Sequence, residues 1–440
     1  MRRLSLFFGI RPGEAYRVGV MASLLFLLIA ANNLIKILRD SIFLGQHSVS
    51  ELPYLYILVA LVAGAIIATY SQYTKDLSLT RIILSTNAFI LLSIGFFWIV
   101  LTLFDPGWSH YAFYIWSAMV GAIAVAQLWT LANHIFNAEE GKRLFGVLTA
   151  GGTLGGVTAG FGAKWAVERS FESNNLLWFV AALFVVASVL VLGVDRRFRG
   201  QFMENEIEPS QQAGDGGVRG IGEILNGSRY LKTIAVLILV SVIVSTLIDF
   251  QFKAAAKEAH PTKEALTAFF SSYYGWLSIA TFFTQFVLTG KALSKFGLHL
   301  SLYFTPSVLL TGSVAIMIWP SLIAAALTRM ADATLRNSIH RSSLEIIYMA
   351  VPSNIMKTIK TFLDVVIERV GDASAGFIIL LYGLISLDAN VRYVHFVCVG
   401  LIVAWLLLIP LLRIGFEKAM GGRLDAGDVE WPTKSRREFD

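Results

Sequence analysis

Eleven ionisable residues recur at helical spacing inside stretches that are otherwise apolar: Lys36, Arg39 and Asp40; Asp249 and Lys253; Arg329, Asp332 and Arg336; Asp364, Glu368 and Asp372. Asp249 and Lys253 are four apart, a distance that brings two side chains together on a helix. Arg329, Asp332 and Arg336 share one helix face, and so do Asp364, Glu368 and Asp372. The last two sets are consecutive and joined by a short turn at Pro352. Charges within apolar surroundings cost on the order of 3 kcal/mol or more each unless they meet a partner or water. Two kinds of chemistry fit these positions. Lys36, Arg39 and Lys253 suit the binding of an anion, with Asp40 and Asp249 orienting the cations. Arg39 is the strongest candidate, because its planar fork can hold two phosphate oxygens. The sets from Arg329 to Arg336 and from Asp364 to Asp372 suit a gate or coupling site whose ion pairs break and re-form. We expect at least one contact between Arg329, Arg336 or Arg341 and Asp364, Glu368 or Asp372. The competing readings are a packing network for the two stripes, snorkelling to the surface for Lys36 and Arg39, and a sealed mouth for Arg39–Asp40 and Asp249–Lys253.

Other chemistries are disfavoured. The single cysteine, Cys398, allows neither a disulfide within the chain nor a cysteine-based metal site. The seven histidines are scattered, with no HExxH and no close pair, so no metal and no cofactor is expected. No nucleophile–base set stands out and no catalytic residue is assigned; His340 beside Arg341 is the nearest candidate, and one such pair does not make an enzyme. The glycine-rich stretch 146–162 lacks the GK[ST] ending of a phosphate loop. Its pairs Gly151/Gly155, Gly152/Gly156 and Gly156/Gly160 predict close helix packing. Without a Walker motif, pumping driven by ATP hydrolysis is also disfavoured.

The elements that must position these residues follow from composition. Of 440 residues, 56% are hydrophobic and only 15% charged, too few charges to wet the surface of a soluble chain this long. About twelve apolar runs approach the ~20 residues that cross a bilayer. They lie near 16–38, 53–71, 82–104, 110–136, 144–167, 175–194, 231–252, 265–289, 299–318, 320–350, 355–385 and 391–415. The expected fold is all-α: a polytopic bundle in a 6+6 major facilitator arrangement, with halves 1–194 and 230–416. A linker, 195–229, joins them and a charged tail, 417–440, follows. The connections 71–81 and 289–300, both short and basic, echo one another between the halves. The net charge of +6 sits mostly in loops on one side, which predicts cytoplasmic termini rather than a nucleic-acid partner. The expected partners are the lipid bilayer and a small anionic solute, with a monomer as the expected state and the plasma membrane as the location.

Ordered segments then carry a resemblance. These are ILRDSIFL (37–44), LPYLYILVALVAG (52–64), LWTLANHIFNAEEGKRLFGVLTAGGTLGG (128–156), STLIDFQFKAAAKE (245–258), TAFFSSYYGWLSIATFFTQFV (267–287), and the pair ATLRNSIHRSSLEIIYMAVP with KTIKTFLDVVIERVGDASAG. Together they resemble the nucleotide transporter family, the ATP/ADP translocases of plastids and obligate intracellular bacteria. The resemblance implies a twelve-helix facilitator-like antiporter that exchanges ATP for ADP through a cavity between two halves. It carries over to Arg39, Asp40, Asp249 and Lys253. It departs at three charged positions: a lysine falls near Ile42, a glutamate near Ser117, and a lysine is replaced by Asp372. The alternative expectation is a proton-coupled facilitator for another solute.

Overall fold

The computed structural model describes residues 11, 14–73, 78–205, 224–225, 227–385 and 392–425. Most of the expected linker and most of the tail lie outside these residues. In chain order the helices are α1 (Ala15–Gln46), α2 (Leu52–Tyr73), α3 (Leu79–Ile99), α4 (Gly107–Ile135), α5 (Ala138–Val167), α6 (Leu176–Asn205), α7 (Arg229–Ala259), α8 (Lys263–Phe283) and α9 (Thr289–Ile318). They continue with α10 (Leu322–Leu335), α11 (Arg341–Tyr348), α12 (Ser353–Phe362), α13 (Glu368–Ile385) and α14 (Arg392–Asp425). A π-turn, Arg336–His340, joins α10 to α11, and another, Leu363–Ile367, joins α12 to α13, so each pair acts as one interrupted span.

Polar signals set where helices begin. Asn137 and Glu140 form a reciprocal capping box at the start of α5, and Thr262 and Ser321 cap α8 and α10; such a cap is typically worth ~1 kcal/mol. Inside α9, Gly297 adopts a φ of 68°, open to glycine without strain, and the helix breaks there.

Among the described residues, nine helical segments are long and apolar enough to cross a membrane. They lie on α1–α7, α9 and α14. The other three expected spans fall on α8, α10–α11 and α12–α13, which are polar or interrupted. The chain is an integral membrane protein, and six of the eleven ionisable residues singled out, from Arg329 to Asp372, sit on the two interrupted spans. Helix ends also differ from expectation. The apolar run of α1 fades near residue 38, yet the helix continues to Gln46; that of α7 fades near 252, and the helix runs to Ala259. Arg39, Asp40, Asp249 and Lys253 therefore lie inside helices, because neighbouring helices supply their partners.

Helix α1 is central to the first half, packed on α4, α5 and α6; α7 is central to the second, packed on α10, α13 and α14. Across the seam α5 meets α8, α1 meets α8 and α2 meets α13. The glycines of α5 make the first of these contacts possible. A Cβ on Gly151 would lie 2.7 Å from the Ala22 carbonyl oxygen, and one on Gly155 would collide with that of Phe26, both on α1. A Cβ on Gly160 would lie 2.6 Å from the Gly275 nitrogen on α8. Helix α5 is thus wedged backbone to backbone between α1 and α8.

Candidate functional site

Chain direction fixes two ends for the bundle. The termini side holds the start of α1; the far end holds the ends of α1 and α7 and the starts of α8 and α10. Near the far end, seven side chains alternate in sign across the seam. Arg39 grips Asp40 with two bonds, Nε–Oδ1 at 2.9 Å and an Nη at 3.1 Å from Oδ2. Asp40 Oδ1 lies 3.2 Å from Lys253 Nζ, and Lys253 lies 2.8 Å from Asp249 Oδ2. Asp249 Oδ1 accepts from Arg329 Nε at 3.0 Å. Arg329 then reaches Asp332 at 2.6 Å, and Arg336 approaches the other Asp332 oxygen at 3.7 Å.

Helix spacing explains this order. Helix α7 presents Ser241, Ser245 and Asp249 along one ridge toward α10. The Ser245 hydroxyl donates to Asp332 at 2.5 Å, and the Ser241 carbonyl accepts from Arg336 at 2.7 Å. Three tyrosines add hydrogen bonds to the chain. Tyr56 donates to Asp249 at 3.2 Å, Tyr274 to Asp40 at 3.1 Å, and the Tyr114 hydroxyl accepts from Lys253 at 3.0 Å. The Arg39 guanidinium also lies 4.8 Å from the Tyr114 ring centre, a cation–π contact. Lys253 is 2% exposed and Asp40 1%. Burial of such ions is tolerated only because each has partners.

Lys36 differs. It lies one turn nearer the termini side on α1, half-buried, and within electrostatic reach of Arg39, Arg329, Asp40 and Asp249. It has no ion-pair or hydrogen-bond partner among the described residues. With Lys36, five cations stand against three acids in the chain and beside it on α1, while Glu368 and Asp372 of α13 lie within electrostatic reach of Arg336.

The expected contact between the arginines at 329, 336 and 341 and the acids at 364, 368 and 372 does not form among the described residues. Helix α7 lies between the two stripes. It takes Arg329 and Arg336 on one side, and on the other its Thr246 donates to Asp372 at 2.9 Å. Gly371 on α13 packs onto Val242 of α7, where a Cβ would fall 2.7 Å from Val242 Cγ1. Asp372 also pairs with Arg369 of its own helix at 3.0 Å. Asp364 accepts from Tyr348 at 2.9 Å, and Lys360 pairs with Glu345 at 2.6 Å. The turn at Pro352 thus carries its own cross-helix pairs, toward the termini side. Glu368 has no ion-pair partner among the described residues.

Sequence reasoning singled out the charged members of the alternating chain. It missed Tyr56, Tyr114 and Ser245, since tyrosines and serines in apolar helices carry no signal of their own. Of the positions where the resemblance departs, Ile42 and Ser117 are both buried, at 2% and 4% exposure.

Comparison with known proteins bears on the fold and the family. The solved structure of the nucleoside transporter NupG superposes with a TM-score of 0.65 at 11% identity, covering 92% of this chain and 99% of that one. The major facilitator superfamily transporter FucP, in an outward conformation, gives 0.52 at 14% identity, covering 91% and 98%. At such identities the likeness speaks for the fold, which is that of the major facilitators. Among sequences, ADP,ATP carrier protein 2 of the Arabidopsis thaliana chloroplast is 22% identical over 346 residues, and ADP,ATP carrier protein 3 of Rickettsia prowazekii 21% identical over 345. The matched stretch covers 71% of this chain but 56% of the Arabidopsis carrier, and 68% of both chains in the rickettsial case. The family model described as TLC ATP/ADP transporter matches residues 83–416, most of the sequence, and the chain belongs to that family.

Proposed function

We propose that this protein is a secondary transporter that exchanges ATP for ADP, or carries a related organic anion, by alternating access between its two halves. The observation that carries this reading is Lys36: a cation at membrane depth with no ion-pair or hydrogen-bond partner among the described residues, beside an ion chain of four cations and three acids. A phosphate group would supply the missing negative charge. It would also compete with Asp40 for Arg39, whose fork suits two phosphate oxygens. The names of the matched carriers agree with such a solute.

The ion chain acts as the far-end latch. Its seam-crossing contacts are Lys253–Asp40, Lys253–Tyr114, Tyr56–Asp249 and Tyr274–Asp40. When these part, Asp40 keeps Arg39 in the first half and Lys253 keeps Asp249 in the second. No charge is stranded, so opening avoids the ~3–5 kcal/mol that an abandoned buried partner costs. An anion that draws Arg39 from Asp40 leaves Lys253 as the ionic partner of that carboxylate, which tightens the latch and couples binding to closure of the far end. The termini and the linker face the cytoplasm of a plasma membrane in this reading, supported by the basic loops on that side. Cysteine labelling at Ser210 and Ser50 tests it: an impermeant reagent that reaches only Ser210 in intact cells inverts the map.

Purified protein in liposomes should take up labelled nucleotide saturably, faster with nucleotide trapped inside. Lys36→Gln and Arg39→Gln should each weaken apparent affinity for the anionic solute and leave that for a neutral one unchanged. Absence of any nucleotide uptake, with robust uptake of a neutral or cationic solute, would overturn the proposal. Proton-coupled carriage of a different solute is the second reading, favoured by the carboxyl of Glu368, which has no ion-pair partner among the described residues. It predicts uptake driven by a pH gradient without internal nucleotide, abolished in Glu368→Gln.

A further inference from the structure

The fold brings together two histidines that lie 63 positions apart in the sequence. At the far end His47, which caps α1, places Nε2 at 3.0 Å from Nδ1 of His110 on α4. Each ring also faces a carboxylate through its other nitrogen. His110 Nε2 lies 2.8 Å from Asp105 Oδ1, and His47 Nδ1 lies 3.2 Å from Glu51 Oε2. The Tyr111 hydroxyl donates to Glu51 Oε2. The rings are largely covered, at 15% and 5% exposure, whereas Asp105 is 48% exposed and leads to the surface.

Proton counting gives this cluster a function. Two neutral imidazoles carry one N–H each. The relay has three junctions to fill: ring to Asp105, ring to ring, and ring to Glu51. Three ring protons fill all of them, one more than two neutral rings supply. A fourth forces two N–H groups to face each other at the ring–ring junction, and that bond is lost. We propose that Asp105, His110, His47, Glu51 and Tyr111 form a proton-binding site, and that a second added proton weakens closure of the two halves at the far end.

The sign of the effect follows from what the cluster faces. His47 ends the helix whose Gly45 carbonyl accepts from Lys257 Nζ of α7 at 3.5 Å. A Cβ on Gly45 would fall 2.8 Å from Cβ of Lys263 on α8. Two lysines of the second half, Lys257 and Lys263, thus pack against the end of α1 that carries the cluster, with Glu258, His260 and Glu264 as their charged or titratable chain neighbours; on the cluster's own side the groups are Glu51, Asp105 and Tyr111. A further positive charge repels Lys257 and Lys263 and frees the end of α1 from α4. Acid at the far end therefore favours opening there.

The inference rests on the alternating-access reading, but its test does not use transport. Ser173 and Thr267 meet across the seam at 3.0 Å, both fully buried. In Cys398→Ala protein reconstituted in liposomes, Ser173→Cys should react with a maleimide roughly fivefold or more faster at about pH 5.5 than at about pH 7.5, after normalising to the same cysteine in unfolded protein. His47→Gln and His110→Gln should each abolish the acid response. Asp105→Asn, at an exposed position, should shift the response to lower pH and guards against misfolding of the histidine variants. A pH-independent rate in the parent, or an unchanged acid response in both histidine variants, overturns the proposal. Loss of nucleotide uptake with the acid response intact removes the transport reading alone.

Discussion

The two ends of the bundle use ion pairs differently. At the far end one ion pair crosses between halves, Asp40 to Lys253, with Tyr56, Tyr114 and Tyr274 bridging the same seam. Toward the termini side the pairs among the described residues stay within a half. Arg17 holds Glu140 and Arg143 holds Glu14 in the first, and Lys360 holds Glu345 in the second. Among the described residues, the far end is where an ion pair joins the two halves. The structure is therefore latched at the far end, while the pairs on the termini side brace each half as a unit.

The largest expected effect that could break this contrast is Asp40→Asn. It removes the one carboxylate shared by Arg39, Lys253 and Tyr274, and should cost ~3–5 kcal/mol of stability, read as a lowered midpoint of thermal unfolding in detergent. A change within error would mean that the latch is not buried. Next, Lys253→Gln should raise the reactivity of Ser173→Cys toward a maleimide severalfold, whereas Lys360→Gln should leave it unchanged. Equal effects from both would erase the distinction between seam and brace. The smallest effect concerns the brace. A hydrogen bond from Arg143 holds the Glu14 carboxyl down at about 2, below its ordinary 4.5. A depressed carboxyl contributes stability above its unfolded value and loses it as pH falls through its folded value. The gap in unfolding midpoint between the parent and Glu14→Gln should thus hold steady above about pH 5 and shrink from there toward pH 2. A gap that closes already between pH 7 and 5 would place the pair in the histidine range and contradict its geometry.

Much of the latch was legible in the sequence, because charges in an apolar run must find partners. Asp249 and Lys253 pair as their spacing implied, and Arg39 and Asp40 stand beside them. The glycines of α5 likewise pack helix against helix. What was not legible is which helix lies between which. Spacing along α10–α11 and α12–α13 predicts stripes, and only the packed bundle shows α7 filling the space between them. Apolar runs also place helix ends too early at residues 38 and 252, since the run fades where the charges begin while the helix does not. The pairing of His47 with His110 was invisible for a related reason: no local period connects the end of α1 with the start of α4.

The adjacency of Arg39 and Asp40 also bears on how the chain is made. During synthesis α1 enters the bilayer long before α7 exists, with Lys253 following Asp40 by 213 positions. At ~5–20 residues per second, Asp40 waits roughly 10–40 s for its partner across the seam. Over that interval its neighbour on the same helix already neutralises it, so the nascent first half can settle in the membrane without an unmatched carboxylate. Helix α7 arrives in the same condition, with Lys253 matched by Asp249. The two halves can thus mature one after the other and join only at the end, when each already carries its own counter-charge.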